Sequence, residues 1–427
     1  MMSSNTKKII DRNTIEEFLV ALLFVIPYAE TGKLSFAFSD SAKTFYWRSI
    51  LVFEMGLCVV LMIQHMRPQI RGKTNKSVFL YAVYLMINGV LSIMLGASGG
   101  AMLVTMLSTI VPLVNATFII SHIERRSLDI NKIVKWAVNL YTLFVVYCVA
   151  LNIVRYGLTL SYINNKFRLS ASAGGPVILG YTISLVAVFM FANKDIFSTK
   201  NLVINSVIFT LAITYTMDRG AYVILLLGVL YLALTEKNKV ITGLFVLGFI
   251  FGVIYLSDEI LGKVLELLFG NRVMSTDLTE SMRYKTAITC LSEFIKEPIF
   301  YLTGHGTGNF FPFQQWTASN AGVSASAYAR FDVNLFSYNG SSLLVQPHNT
   351  FIYFLMETGF IGIVLFLRTV LIGLRDQEKK ISPNVLIVVL SFLLLGMLES
   401  TIIVQPGIAC MWWLMIFFTK IRSNSFT

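Results

Sequence analysis

Pro347-His348-Asn349-Thr350 opens a long apolar run that carries a single carboxylate, Glu357, nine residues beyond the histidine. An imidazole ordinarily titrates near pH ~6.5, so His348 can take a proton from an attacking hydroxyl around neutrality. The other reading is an interface histidine bonded to a neighbour. Glu357, deeper in the run, needs a partner for its charge. An arginine such as Arg219 would serve, as would the histidine through a bridging group. Arg219 lies in Asp218-Arg219-Gly220 between two apolar runs, with almost no loop to carry it into solvent. Either it snorkels or pairs with Asp218, or it binds an anion at membrane depth. Arg283, Arg168 and Arg330 are further anion-binding candidates, each with an ordinary surface role as its alternative.

These residues need a scaffold, and composition names its class. Of the 427 residues 56% are hydrophobic and 13% charged, and the mean hydropathy is +0.71. Soluble domains do not have this composition. Apolar runs close to the roughly 20 residues that cross a hydrocarbon core recur along the chain, predicting an all-α polytopic membrane protein with about twelve spans. They fall at 15–30, 44–63, 77–95, 101–121, 133–154, 175–192, 200–217, 219–235, 239–256, 349–372, 383–400 and 404–420. The first run follows Lys7, Lys8 and Arg12 without a small-residue cleavage site, so it reads as a retained helix.

The net charge of +11 raises the possibility of nucleic acid, but its distribution follows the positive-inside rule. Lys7, Arg71, Arg125, Arg126, Lys132, Lys194, Lys200, Lys237, Arg375, Lys380 and Arg422 all fall on one side if the N-terminus is cytoplasmic. Both termini are then cytoplasmic, and the connection 257–347 faces outward. The chain thus divides into 1–256, a large extracytoplasmic loop at 257–347, and 348–427. Within that loop 257–270 reads as an amphipathic surface helix or a loop core helix. Residues 281–298 read as a helix with Ser281 as its cap and Pro298 past its end. The small and polar stretch 317–342 is expected to lack regular structure.

The loop holds six Lys/Arg against eight Asp/Glu, so an anion there must be held by particular arginines. Gly304-His305-Gly306-Thr307-Gly308 superficially suggests a phosphate cradle, yet it opens no helix after a parallel strand. A tight turn with a structural His305 is the simpler reading. Glu54 and Glu399 are near membrane depth and are expected to pair with Arg48 or helix-end groups. Cys58, Cys148 and Cys410 fall inside spans and Cys290 in the loop, a spacing that suggests neither disulfides nor a metal cage. No Asp-x-Asp pair, P-loop or nucleophile elbow is present, which disfavours metal-dependent use of sugar nucleotides and ATP-driven transport.

Arg219-Gly220, SMRYKTAITCLSEFIKEPIFYLTGHGTGNF, HNTFIYFLMETGFIG and FRLSASAGGPVILGY together resemble the bacterial O-antigen polymerase and O-antigen ligase superfamily. Asp218 departs from the serine or threonine usual before the arginine. The resemblance implies a glycosyltransferase of the bacterial inner membrane with its site facing the periplasm and no metal or other cofactor. Donor and acceptor would be glycans linked to undecaprenyl diphosphate, with a chain-length regulator as a further partner and no nucleic acid. Arg219 and Arg283 would hold the diphosphate, assisted by Arg168 and Arg330. His348 would be the base and Glu357 would orient the site. A repeat-unit polymerase is the leading expectation, a ligase to lipid A-core the second, and a flippase the rival without bond chemistry.

Overall fold

The computed structural model describes residues 12–30, 73–95, 99–156, 169, 176–216, 218–235, 243, 282–308, 335–338, 341–344, 347–374, 382–399 and 406–424. Its helices are α1 (Arg12–Glu30), α2 (Lys73–Met94), α3 (Gly99–Arg126), α4 (Ile130–Tyr156), α5 (Pro176–Ala192), α6 (Thr199–Thr216) and α7 (Arg219–Thr235). They continue with α8 (Met282–Lys296), α9 (Thr350–Leu374), α10 (Pro383–Leu398) and α11 (Pro406–Asn424). Ten of these coincide with expected spans; the expected spans 44–63 and 239–256, and the expected helix 257–270, lie outside the described residues. Thr105–Arg126, Lys76–Met94, Ile130–Val154 and Thr350–Ile372 are long and apolar enough to cross a membrane, and α5, α7 and α10 are shorter apolar helices. The protein is an integral membrane protein on these helices.

A helix apolar on every face belongs in the middle of a bundle. Every residue from Leu179 to Ala192 of α5 is buried, as is every residue from Ile408 to Thr419 of α11. These two pack on each other, with α6, α7 and α10 around the first and α1, α3 and α10 around the second. Phe24 of α1 stacks on both Phe189 and Phe418, and Phe392 of α10 stacks on Trp412 at 3.5 Å. Small residues bring α5 and α7 close, since a Cβ on Gly180 would meet Thr216 and Ala221, and one on Gly228 would meet Val188.

One end of the bundle is laced by charge. Glu16 of α1 meets His122 and Arg126 of α3, and Glu17 accepts from Asp129 N–H at the start of α4. The buried Arg422 of α11 reaches Asn131, Asn193 and Asp195. The opposite end carries α8, which packs on α9, and a turn at 297–308. Inside 317–342, expected to be irregular, the structure has a hairpin: β1 (Leu335–Tyr338) pairs antiparallel with β2 (Ser341–Leu344), Tyr338 opposite Ser341. Asn339-Gly340, between the two strands in sequence, is a strong two-residue hairpin signal.

Candidate functional site

Asn349 accepts hydrogen bonds from Phe351 N–H and Ile352 N–H through Oδ1, at 2.9 and 3.1 Å, and so caps α9. His348 thereby sits just off the helix. Its Nδ1 lies 2.8 Å from Glu399 Oε2 at the end of α10, and its side chain is 32% exposed. Thr350 Oγ1 donates to Glu399 O at 2.8 Å and Asn349 Nδ2 to Met397 O at 3.2 Å, which binds the start of α9 to the end of α10. A carboxylate only accepts, so in the neutral imidazole this contact places the proton on Nδ1 and leaves the lone pair on Nε2. Glu399, expected to pair with Arg48 or a helix end, meets the start of α9 and its histidine here, and Arg48 lies outside the described residues.

Arg219 is the first residue of α7. Asp218 Oδ1 accepts from Gly220 N–H at 3.1 Å, so the aspartate in place of the usual hydroxyl residue works as a cap. Ser184 Oγ donates to Ala221 O at 2.7 Å, fixing this end of α7 against α5, and Leu169 N–H donates to Tyr215 O at 2.9 Å on the neighbouring end of α6. Tyr231, near the far end of α7, bonds Asn384 at the start of the antiparallel α10. Counting back along both helices at about 1.5 Å per residue puts Arg219 level with Gly396, about 5 Å along the axis from Glu399. Gly396 itself abuts Thr350 and Phe351 of α9. The start of α7 and the His348–Glu399 pair therefore share one end of the bundle.

Glu357 is buried and its carboxylate accepts from Gly308 N–H. Thus the glycine turn supplies one partner for the carboxylate. The turn spends its own donors inside the protein: Gly304 N–H goes to Phe300 O, His305 N–H to Met356 O, Gly306 N–H to Glu357 O and Thr307 N–H to Asn88 Oδ1. A phosphate cradle needs those groups free. The buried His305 spans Met356 O and Glu297, at 3.0 and 2.6 Å, in the structural role expected of it.

The turn docks where α9 is interrupted. Gly359 has φ +63, inside what was expected to be one continuous span. Gly362 lies close against Thr358 and Tyr84, whereas Gly359 breaks the helix. An intact helix would join Phe360 to Met356 and Ile361 to Glu357. Here Phe360 N–H donates to Tyr301 O and Ile361 N–H to Leu302 O, while the carbonyls of Met356 and Glu357 take the turn's amides. Tyr84 OH takes the carbonyl of Thr358 at 2.5 Å, and Asn88 Nδ2 donates to Thr303 O at 2.7 Å. Neither α2 residue stood out in the sequence, although each is a polar side chain in an apolar run.

Of the other candidates, Arg283 is the second residue of α8, whose far end is held by Phe294 stacked on Tyr301 at 4.9 Å. Arg168 and Arg330 lie outside the described residues, as do Ser281, Glu54 and Cys58. Cys148, Cys290 and Cys410 are buried.

A histidine held by a carboxylate at a helix start, beside an arginine-led helix and a turn spliced into the span, follows the order of motifs in the resemblance. Residues 204–367 match the O-antigen ligase family. The O-antigen polymerase and ligase superfamily is supported by that match. The matched stretch contains Arg219, Arg283, His348 and Glu357; Arg168 precedes it and Glu399 follows it. No curated protein matches the chain.

Proposed function

We propose that the protein is a repeat-unit polymerase that moves a glycan from undecaprenyl diphosphate to a second lipid-linked unit on the outer side of the membrane. The observation that carries this reading is the His348–Glu399 pair at 2.8 Å. An acceptor sugar hydroxyl attacks C1 of the donor, its proton passes to Nε2 of His348, and the bond from C1 to the diphosphate oxygen breaks. Inversion at C1 follows. Arg219 and Arg283 hold the leaving diphosphate, because guanidinium groups stay charged and bind phosphate oxygens in pairs. Arg168 and Arg330 extend that grip. Glu357 acts through the glycine turn, keeping the first half of α9 in place as a positioning residue.

Transfer of the same donor to lipid A-core is the second reading, favoured by the description of the matched family. Purified protein in vesicles with lipid-linked oligosaccharide separates the two: a ladder of longer lipid-linked glycans is expected. Product only on added core oligosaccharide would make the protein a ligase. Movement of donor across the bilayer without a new bond would make it a flippase. In the same vesicles Arg219→Lys should lose on the order of tenfold or more in turnover, because an ammonium is a point charge. Near-normal turnover in that variant would reduce Arg219 to a snorkelling charge.

A further inference from the structure

The large loop that precedes α9 sends a segment to the middle of that helix. Tyr301 O and Leu302 O receive the amides of Phe360 and Ile361, and these two residues lie at the middle of the span Thr350–Ile372. At about 1.5 Å per residue they are about 15 Å below Thr350, halfway through a hydrocarbon core of about 30 Å. The partner helix gives a compatible depth. Asn88, which holds Thr303 and Thr307, lies six residues before Met94 at the end of α2, or about 9 Å below it.

Backbone at that depth must satisfy its polar groups within the protein. The segment meets much of that need, with the amides of Phe300, Tyr301, Gly304, His305, Gly306, Thr307 and Gly308 donating to protein atoms. A turn in water has no such need. Its side chains divide in the same sense. Gly304, His305, Gly306, Thr307 and Gly308 are buried against α2 and α9, whereas Ile299 is 81% and Leu302 62% exposed. Phe360, Ile361 and Val364, the exposed apolar residues of the adjoining span, continue that surface.

We propose that Pro298–Gly308 is a re-entrant membrane segment, with Ile299 and Leu302 in contact with lipid acyl chains beside Phe360, Ile361 and Val364. Continuity with a membrane-crossing helix selects the bilayer as the occupant of this face. Exposure of large aliphatic side chains costs about 25 cal/mol per Å² in water and nothing in hydrocarbon.

The test is a nitroxide attached at Leu302→Cys or Ile299→Cys in the full chain in phospholipid vesicles, with Val364→Cys as the lipid reference and Lys200→Cys as the aqueous one. Collision with oxygen, which concentrates in hydrocarbon, should exceed collision with a water-soluble nickel chelate, as at position 364. A nickel-dominated signal like that at position 200 would put the segment in water. Weak collision with both would mean that protein covers the face, and either result overturns the proposal. Trypsin resistance matching the parent protein identifies folded variants, and two independent label sites guard against one that misfolds.

Discussion

An imidazole acts as a base only if one nitrogen is left free at the right place, and Glu399 selects which. Its Oε2 holds Nδ1 at 2.8 Å, which leaves Nε2 as the atom that would meet the acceptor hydroxyl in the proposed reaction. Glu399→Gln retains an acceptor but removes the charge that steadies the imidazolium, so turnover should fall on the order of tenfold or more with donor binding little changed. Unchanged turnover would show that the pair is only a helix tie. Glu357 gives the opposite expectation. Glu357→Gln still accepts from Gly308 N–H and should keep turnover within a few-fold, whereas Glu357→Ala should lower stability by about 1–3 kcal/mol. Loss of turnover in folded Glu357→Gln would make the carboxylate a reacting group. His348 was legible because an ionisable group at the edge of an apolar run is costly. Its pairing was not, because Glu399 is 51 positions away and hydropathy carries no distance information.

At the scale of elements, the break in α9 is what lets a turn from one part of the chain engage helices from two others. Helix positions were readable from apolar length, as the agreement of α5, α9 and α10 with the expected runs shows. The break at Gly359 was not readable, since a glycine in an apolar helix serves equally as a close-packing site, the role Gly362 has. What decides between them is the turn spliced in from 297–308. Gly359→Ala tests this. A side chain at φ +63 is unfavourable by about 1–2 kcal/mol, and its Cβ would press on the carbonyl of Leu302. Thermal unfolding in detergent should shift downward and turnover should fall, while Gly243→Ala, where a Cβ meets nothing within 4 Å, should leave both near the parent values. Normal stability in Gly359→Ala would mean that α9 can run straight and that the turn is dispensable.

At the scale of the whole molecule, the two ends of the bundle differ in chemistry. One end gathers Arg125, Arg126, Lys132, Lys194, Lys420 and Arg422 with the carboxylates of Glu16, Glu17 and Asp195. The other presents His348, Glu399 and the start of α7. Basic residues near helix ends are retained on the cytoplasmic side, and the proposal that His348 faces outward rests on this asymmetry. The consequence is measurable in intact cells. A cysteine at Lys200, exposed in the first turn of α6, should resist a membrane-impermeant maleimide until the membrane is opened. One at Ser326, which the sequence places in the large loop, should react at once. The reverse pattern would put His348 on the cytoplasmic face, away from glycans already carried across the membrane, and the transferase reading would fall with it. Equal protection at both positions in sealed cells would show that both face inward, and the connection 257–347 would then no longer be extracytoplasmic.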